Sequence, residues 1–182
     1  MTETEPTTDE FSVAFLPVYQ NPYQHLLTAE LERLGIRVLH LEDIPSVAWL
    51  VRNRRHVEVL HLHWLYGVYM HRYLTPYKWV AFIARILLAR RLGYRIVWTA
   101  HNILPHRMPV RPIHLLVRRL VMAQAAAVIV HCEYGGQELL RRFPRKAPTY
   151  VVPIGSYRGV YPASTSRAEA RDRLGLNPEG FT

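Results

Sequence analysis

PYKWVAFIARILLARRLGYRIVWTA, residues Pro76 to Ala100, holds the plan of the chain in one unit. Its first part predicts a helix over Pro76 to Leu92, because Trp79, Val80, Ile83, Ile86 and Leu87 recur at the spacing of one helical face turned toward a core. Gly93 follows at the place where a helix C-terminus favours a residue that tolerates positive φ. Tyr94 to Ala100 then reads as a β-strand, rich in β-branched and aromatic residues.

The same alternation runs outward in both directions. Upstream lie a strand at Phe11 to Pro17, a helix at Tyr23 to Leu34 closed by Gly35, a strand at Ile36 to Leu41, a short helix at Pro45 to Asn53 and a strand at Val57 to Trp64. Downstream come a proline- and histidine-rich loop at Pro105 to Pro112, a helix at Ile113 to Gln124, a strand at Ala126 to His131, a helix at Gly136 to Phe143 and a strand at Thr149 to Pro153. Parallel strands need a crossover, and helices at every crossover cover both faces. The pattern therefore predicts an α/β fold, a Rossmann-like, doubly wound, mostly parallel sheet flanked by helices. Residues 11–162 form that domain. Residues 163–182 read as a linker carrying one polar helix near Arg167 to Leu174, capped by Ser164 or Ser166.

Composition narrows the function classes. The 182 residues suffice for one well-buried core. MTETEPTTDE, residues 1–10, carries four acids and no base, which predicts a disordered acidic leader rather than a secretory signal and a cytoplasmic chain. Without that leader ten acids face 23 Lys and Arg, so the formal net charge rises from +9 to +13 and the partners should be anionic. The single cysteine, Cys132, excludes an intrachain disulfide and a cysteine-cluster zinc site, and reads as a packed residue at a strand end. Trp79 to Leu92 is interrupted by Arg85, Arg90 and Arg91, well short of the roughly 20 apolar residues of a membrane span. On the helix around Leu116, Arg111, Leu115, Arg118 and Met122 share a face that mixes bases with apolar groups. It reads either as an interfacial helix at the inner face of a membrane or as a solvated face. No exposed aromatic sheet or reading helix speaks for nucleic acid.

In open parallel sheets ligands bind beyond the carboxyl ends of the strands. There the sequence places Tyr19, Asn21 and Tyr23, then His61, His63 and Trp64, then His101, Asn102 and His106, then Gly155 and Ser156. His61 and His63 alternate onto one strand face, but with His101 and no acid nearby they make a poor metal site, so no metal is expected. His63 reads equally as a histidine packed under Trp64 or as a ligand contact. The loop after the first strand has no glycine fingerprint, and neither a phosphate loop nor a G-x-S-x-G turn occurs. Dinucleotide enzymes, P-loop hydrolases and α/β-hydrolases drop out.

VWTAHNILPH, Val97 to His106, resembles the fourth-strand signature of GT-B glycosyltransferases related to family 4. Asn21-Pro22-Tyr23, HLHW at His61 to Trp64, VPIGSY at Val152 to Tyr157 and SRAEARDRLGL at Ser166 to Leu176 resemble the same family in the same order. The resemblance implies that the chain is one half of a GT-B fold, the acceptor-side half of an enzyme that moves a sugar from a nucleotide-sugar donor to a glycan or lipid-linked acceptor. It implies no cofactor beyond that co-substrate. His101 would be the catalytic residue; Asn21, Tyr23, His63, Asn102 and His106 would bind acceptor, and Gly155 and Ser156 would lie near the donor. Arg171, Leu174, Gly175 and Leu176 fit the connector toward a C-terminal donor-binding half, without which little transfer is expected. A second reading is a non-catalytic half that docks on anionic membrane and recruits that donor-binding half.

Overall fold

The computed structural model describes residues 11–70, 75–104, 111–145, 147–161, 165–177 and 180. The acidic leader and His106 lie outside the described residues. The elements are β1 (Ser12–Leu16), α1 (Pro22–Arg33), β2 (Arg37–His40), α2 (Val47–Asn53), β3 (Val59–Leu62), α3 (Leu65–Tyr69), α4 (Thr75–Arg91), β4 (Arg95–Thr99), α5 (Arg111–Gln124), β5 (Ala127–Val130), α6 (Glu133–Arg142), β6 (Thr149–Val151) and α7 (Arg167–Arg173). The strands form one sheet in the order β2-β1-β3-β4-β5-β6, and every pairing is parallel. This is the expected doubly wound, Rossmann-like α/β architecture, used by many enzyme domains.

Local chemistry sets the boundaries. Asn21 caps α1 by accepting from the Gln24 amide, and Pro22 follows where its missing N–H costs nothing. Gly35 and Gly93 end their helices at φ 75° and 99°, as the sequence indicates. Ser166, not Ser164, caps α7, in a reciprocal capping box with Glu169.

The pleat splits the buried residues into two layers. Ala14, Leu16, Leu60, Leu62, Ile96 and Trp98 join the larger core with Leu50 of α2, Phe82, Ile86 and Ala89 of α4, and Val117, Val121 and Met122 of α5. Val13, Phe15 and Val59 point the other way and meet Leu27 and Leu31 of α1. Successive residues of a strand serve opposite faces, so a sheet covered on both sides reads as a continuous apolar run.

Three expectations are corrected. Val80 is 51% exposed, and the inner face of α4 runs instead through Phe82, Ile86 and Ala89, with Trp79 and Ile83 packed beside them. Cys132 is not packed: it is exposed and caps α6, its Sγ accepting from the Gly135 amide. The mixed face of α5 is not one continuous outer face: Arg118 and Met122 are buried in the domain, whereas Arg111 is exposed. Among the described residues no helix is long and apolar enough to cross a membrane.

Candidate functional site

Strand order reverses direction at β1, whose neighbours are β2 and β3, and the crevice beside such a switch point is where ligands of open α/β sheets bind. The register aligns Leu16 with Leu62 and Leu62 with Trp98, so the residues that follow these three strands emerge side by side. The His63 amide donates to the Leu16 carbonyl, extending the ladder one step beyond the strand. A cavity of about 570 Å³ opens there, lined by Tyr19, Asn21, His63, Trp64, Leu65, Tyr66, Gly67, Trp98, His101, Asn102 and Arg118. Its size suits a ligand of a few rings.

Aromatic walls are held in place by the loops. Gln24 is buried and bridges the loop after β1, its Oε1 accepting from the Tyr19 amide and its Nε2 donating to the Pro17 carbonyl. Tyr19 lies edge-on to Trp64, 5.4 Å between centroids, and its hydroxyl sits where a Cβ on Gly67 would be. Trp64 stacks on His101 at 4.2 Å and 8°. Tyr23 packs its ring against His63, Trp64, His101 and His131 from the α1 side.

Three histidines from three strand tips form a hydrogen-bonded chain. His131 Nδ1 lies 2.9 Å from the Val152 carbonyl, which only accepts, so that nitrogen carries the proton. In the neutral ring Nε2 is then an acceptor and takes the Nδ1–H of His101 at 3.1 Å. His101 Nε2 in turn takes the Nδ1–H of His63 at 3.3 Å. The chain ends at His63 Nε2, a buried acceptor without a hydrogen-bond partner. Behind it, His61 Nε2 pairs with Thr99 Oγ1 at 2.8 Å.

Burial keeps the rings of His61, His63 and His101 uncharged. It pulls the His61 pKa from 6.5 to about 3, with the nearby His101 adding to the shift. The same cause lowers His101 to about 4, with His131 second, and pushes His63 down further. Burial also raises the Tyr23 hydroxyl, which Thr99 partly offsets and Tyr157 reinforces. Tyr157 follows β6, so the segment after that strand reaches toward the site.

Of the residues singled out in the sequence, Asn21, His63, His101 and Asn102 line the cavity. Tyr23 supports its histidines from behind. His63 is buried and packs against Trp64, as one of its two readings has it, and its side-chain bond is to His101. Gly155 and Ser156 sit on the exposed segment after β6, outside the cavity lining. Among the described residues no three His, Cys, Asp or Glu side chains are arranged to hold a metal ion.

Two members of the site went unnoticed in the sequence. His131 stands at the carboxyl end of β5, and the strand-tip rule applied there as elsewhere would have found it. Arg118 lines the cavity from α5; the sequence set it on a helix face that mixes bases with apolar groups, but nothing local turns it toward a site. Comparison with protein-family models and with curated proteins finds no match.

Proposed function

We propose that the chain is the acceptor-side half of a nucleotide-sugar-dependent glycosyltransferase, and that the cavity over β1, β3 and β4 receives the acceptor, a glycan or a lipid-linked sugar. The observation that carries this reading is the cavity wall itself: aromatic rings of Tyr19, Trp64, Tyr66 and Trp98, polar edges of Asn21, His101 and Asn102, and, among the described residues, no carboxylate. Flat apolar rings beside a few directed hydrogen-bonding groups suit a sugar, whose faces are apolar and whose rim is hydroxylated.

In this reading His101 acts as a neutral group. Its folded pKa near 4 makes it a weak base at pH 7, and both its nitrogens are engaged by histidines. Its contribution is to hold the stacked Trp64 ring and to exchange its His63 bond for one with an acceptor hydroxyl. Asn102, next in the chain, offers a donor and an acceptor to the same hydroxyl rim. The charge developed on the leaving nucleotide diphosphate would be met by a donor-binding half, in the same polypeptide or in another. The run Tyr150, Val151, Val152, Pro153 and Ile154, exposed at every position, supports a surface made to be covered by such a half.

The test combines this chain with its donor-binding half, labelled nucleotide sugars and membrane extract as acceptor source. Transfer that requires both halves and falls at least 100-fold in His101→Ala, with the fold intact by circular dichroism, is the expected result. No transfer from any nucleotide sugar with both halves present overturns the reading.

A further inference from the structure

Among the described residues Arg118 is the one charged side chain in the cavity lining. It is 3% exposed, and its Nε donates to the Ile103 carbonyl at 2.6 Å and its Nη1 to the Tyr69 hydroxyl at 2.5 Å. Both partners are neutral. Burial raises the Tyr69 hydroxyl above its ordinary range although Arg118 pulls the other way, so it stays protonated beside His114 Nδ1, 2.8 Å away. Among the described residues no carboxylate lies within ion-pair distance of Arg118.

A buried guanidinium without a counter-charge is costly, and a lysine-like point charge or a neutral amide would serve the two tethers alone. What the tethers leave is a planar fork with further N–H donors on a cavity wall that, among the described residues, holds no other charge. Forks of this kind pair with oxyanions through parallel hydrogen bonds, and the low dielectric of a buried wall strengthens the pairing.

We propose that the cavity takes a ligand bearing an oxyanion, a phosphate or a carboxylate, seated on Arg118 with the rest of the ligand against the rings of Trp64, Tyr66 and Trp98. If the acceptor reading holds, the acceptor carries that anion close to the sugar that is extended. Only this identification of the ligand rests on the acceptor reading; the anion preference stands on Arg118 and its surroundings.

Tryptophan fluorescence of the intact chain, titrated at pH 7.5 with phenyl phosphate, benzoate and phenol, tests it. At least one anion should bind tenfold or more tightly than phenol and be displaced by inorganic phosphate or acetate; which anion wins separates phosphate from carboxylate. Arg118→Lys should lose at least tenfold in anion affinity with phenol unchanged. Asn102→Asp, which adds a negative charge to the same wall without touching the Arg118 tethers, should lose at least fivefold and keeps the test sound if Arg118→Lys does not fold. Equal binding of phenol and both anions, no binding of any probe, or an anion preference untouched in the folded variants overturns the proposal. Arg118-dependent anion binding without sugar transfer would sink the glycosyltransferase reading alone, and transfer without anion preference would sink this inference alone.

Discussion

At the tips of β1, β3, β4 and β5 the chain closes over itself: three histidines are bonded in series, Trp64 lies flat on one of them, and Gln24 pins the loop beside them. At β6 it does the opposite. This edge strand bonds only to β5, and Tyr150, Val152 and Ile154 are 54%, 48% and 49% exposed. The first region finds its partners within the domain, whereas the second presents apolar surface and an open strand edge that single domains ordinarily protect. Stability should therefore reside in the first, and association in the second.

The largest effect should come from Trp98, buried beneath the cavity. Trp98→Ala should cost about 3–5 kcal/mol, seen as a drop in the urea midpoint, because it removes a fully buried ring from the larger core. A cost near that of a surface change would mean the strand tips are not the stable region.

Next comes pH. His61 and His101 have folded pKa values of about 3 and about 4, below the ordinary 6.5, so the unfolded chain binds their protons first. Stability from this source is complete above pH 6.5 and is lost as pH falls toward 4. For buried His61 the loss is about 1.4 kcal/mol per pH unit, or roughly 2 kcal/mol between pH 7.5 and 5.0; for half-buried His101 solvent screening makes it smaller. Urea midpoints at the two pH values should show this fall, and His61→Leu should flatten it by about one proton. An unchanged slope would break the link between these histidines and the stability of the centre.

Asn21→Ala removes the α1 cap and should cost about 1 kcal/mol, with Asn21→Ser restoring most of it in the same melts. The smallest effect belongs to the edge: Tyr150→Ala and Val152→Ser should each stay within about 0.5 kcal/mol in the isolated chain. If the proposed donor-binding half covers this edge, the same two variants should weaken its capture in a pull-down. A loss of more than about 2 kcal/mol at Tyr150 would place the edge inside the stable unit and dissolve the contrast.

The contrast also separates what was readable from what was not. Gly35 and Gly93 announced their turns because glycine, lacking a Cβ, adopts positive φ at little cost where other residues are strained. His63, His101 and Asn102 were found because strand tips follow from strands. The short helix α3 was not foreseen; it spans five residues with no side-chain cap, and Leu65, Val68 and Tyr69 form it because their side chains are buried, not because their propensity demands it. Cys132 was read as packed from its place at a strand end, yet there it is exposed and its Sγ accepts from the Gly135 amide.

By itself the sequence determined the alternation of strands and helices, their caps and the polar residues at the strand ends, since these depend on side-chain periodicity and on backbone preferences a few residues long. Only the tertiary structure decided that His63, His101 and His131, separated by 38 and 30 positions, would share one chain of hydrogen bonds, and that Arg118 would turn inward to face a cavity. Which strands become neighbours, and which helix face is buried, follow from the free energy of packing all the elements at once, and no local stretch carries that sum.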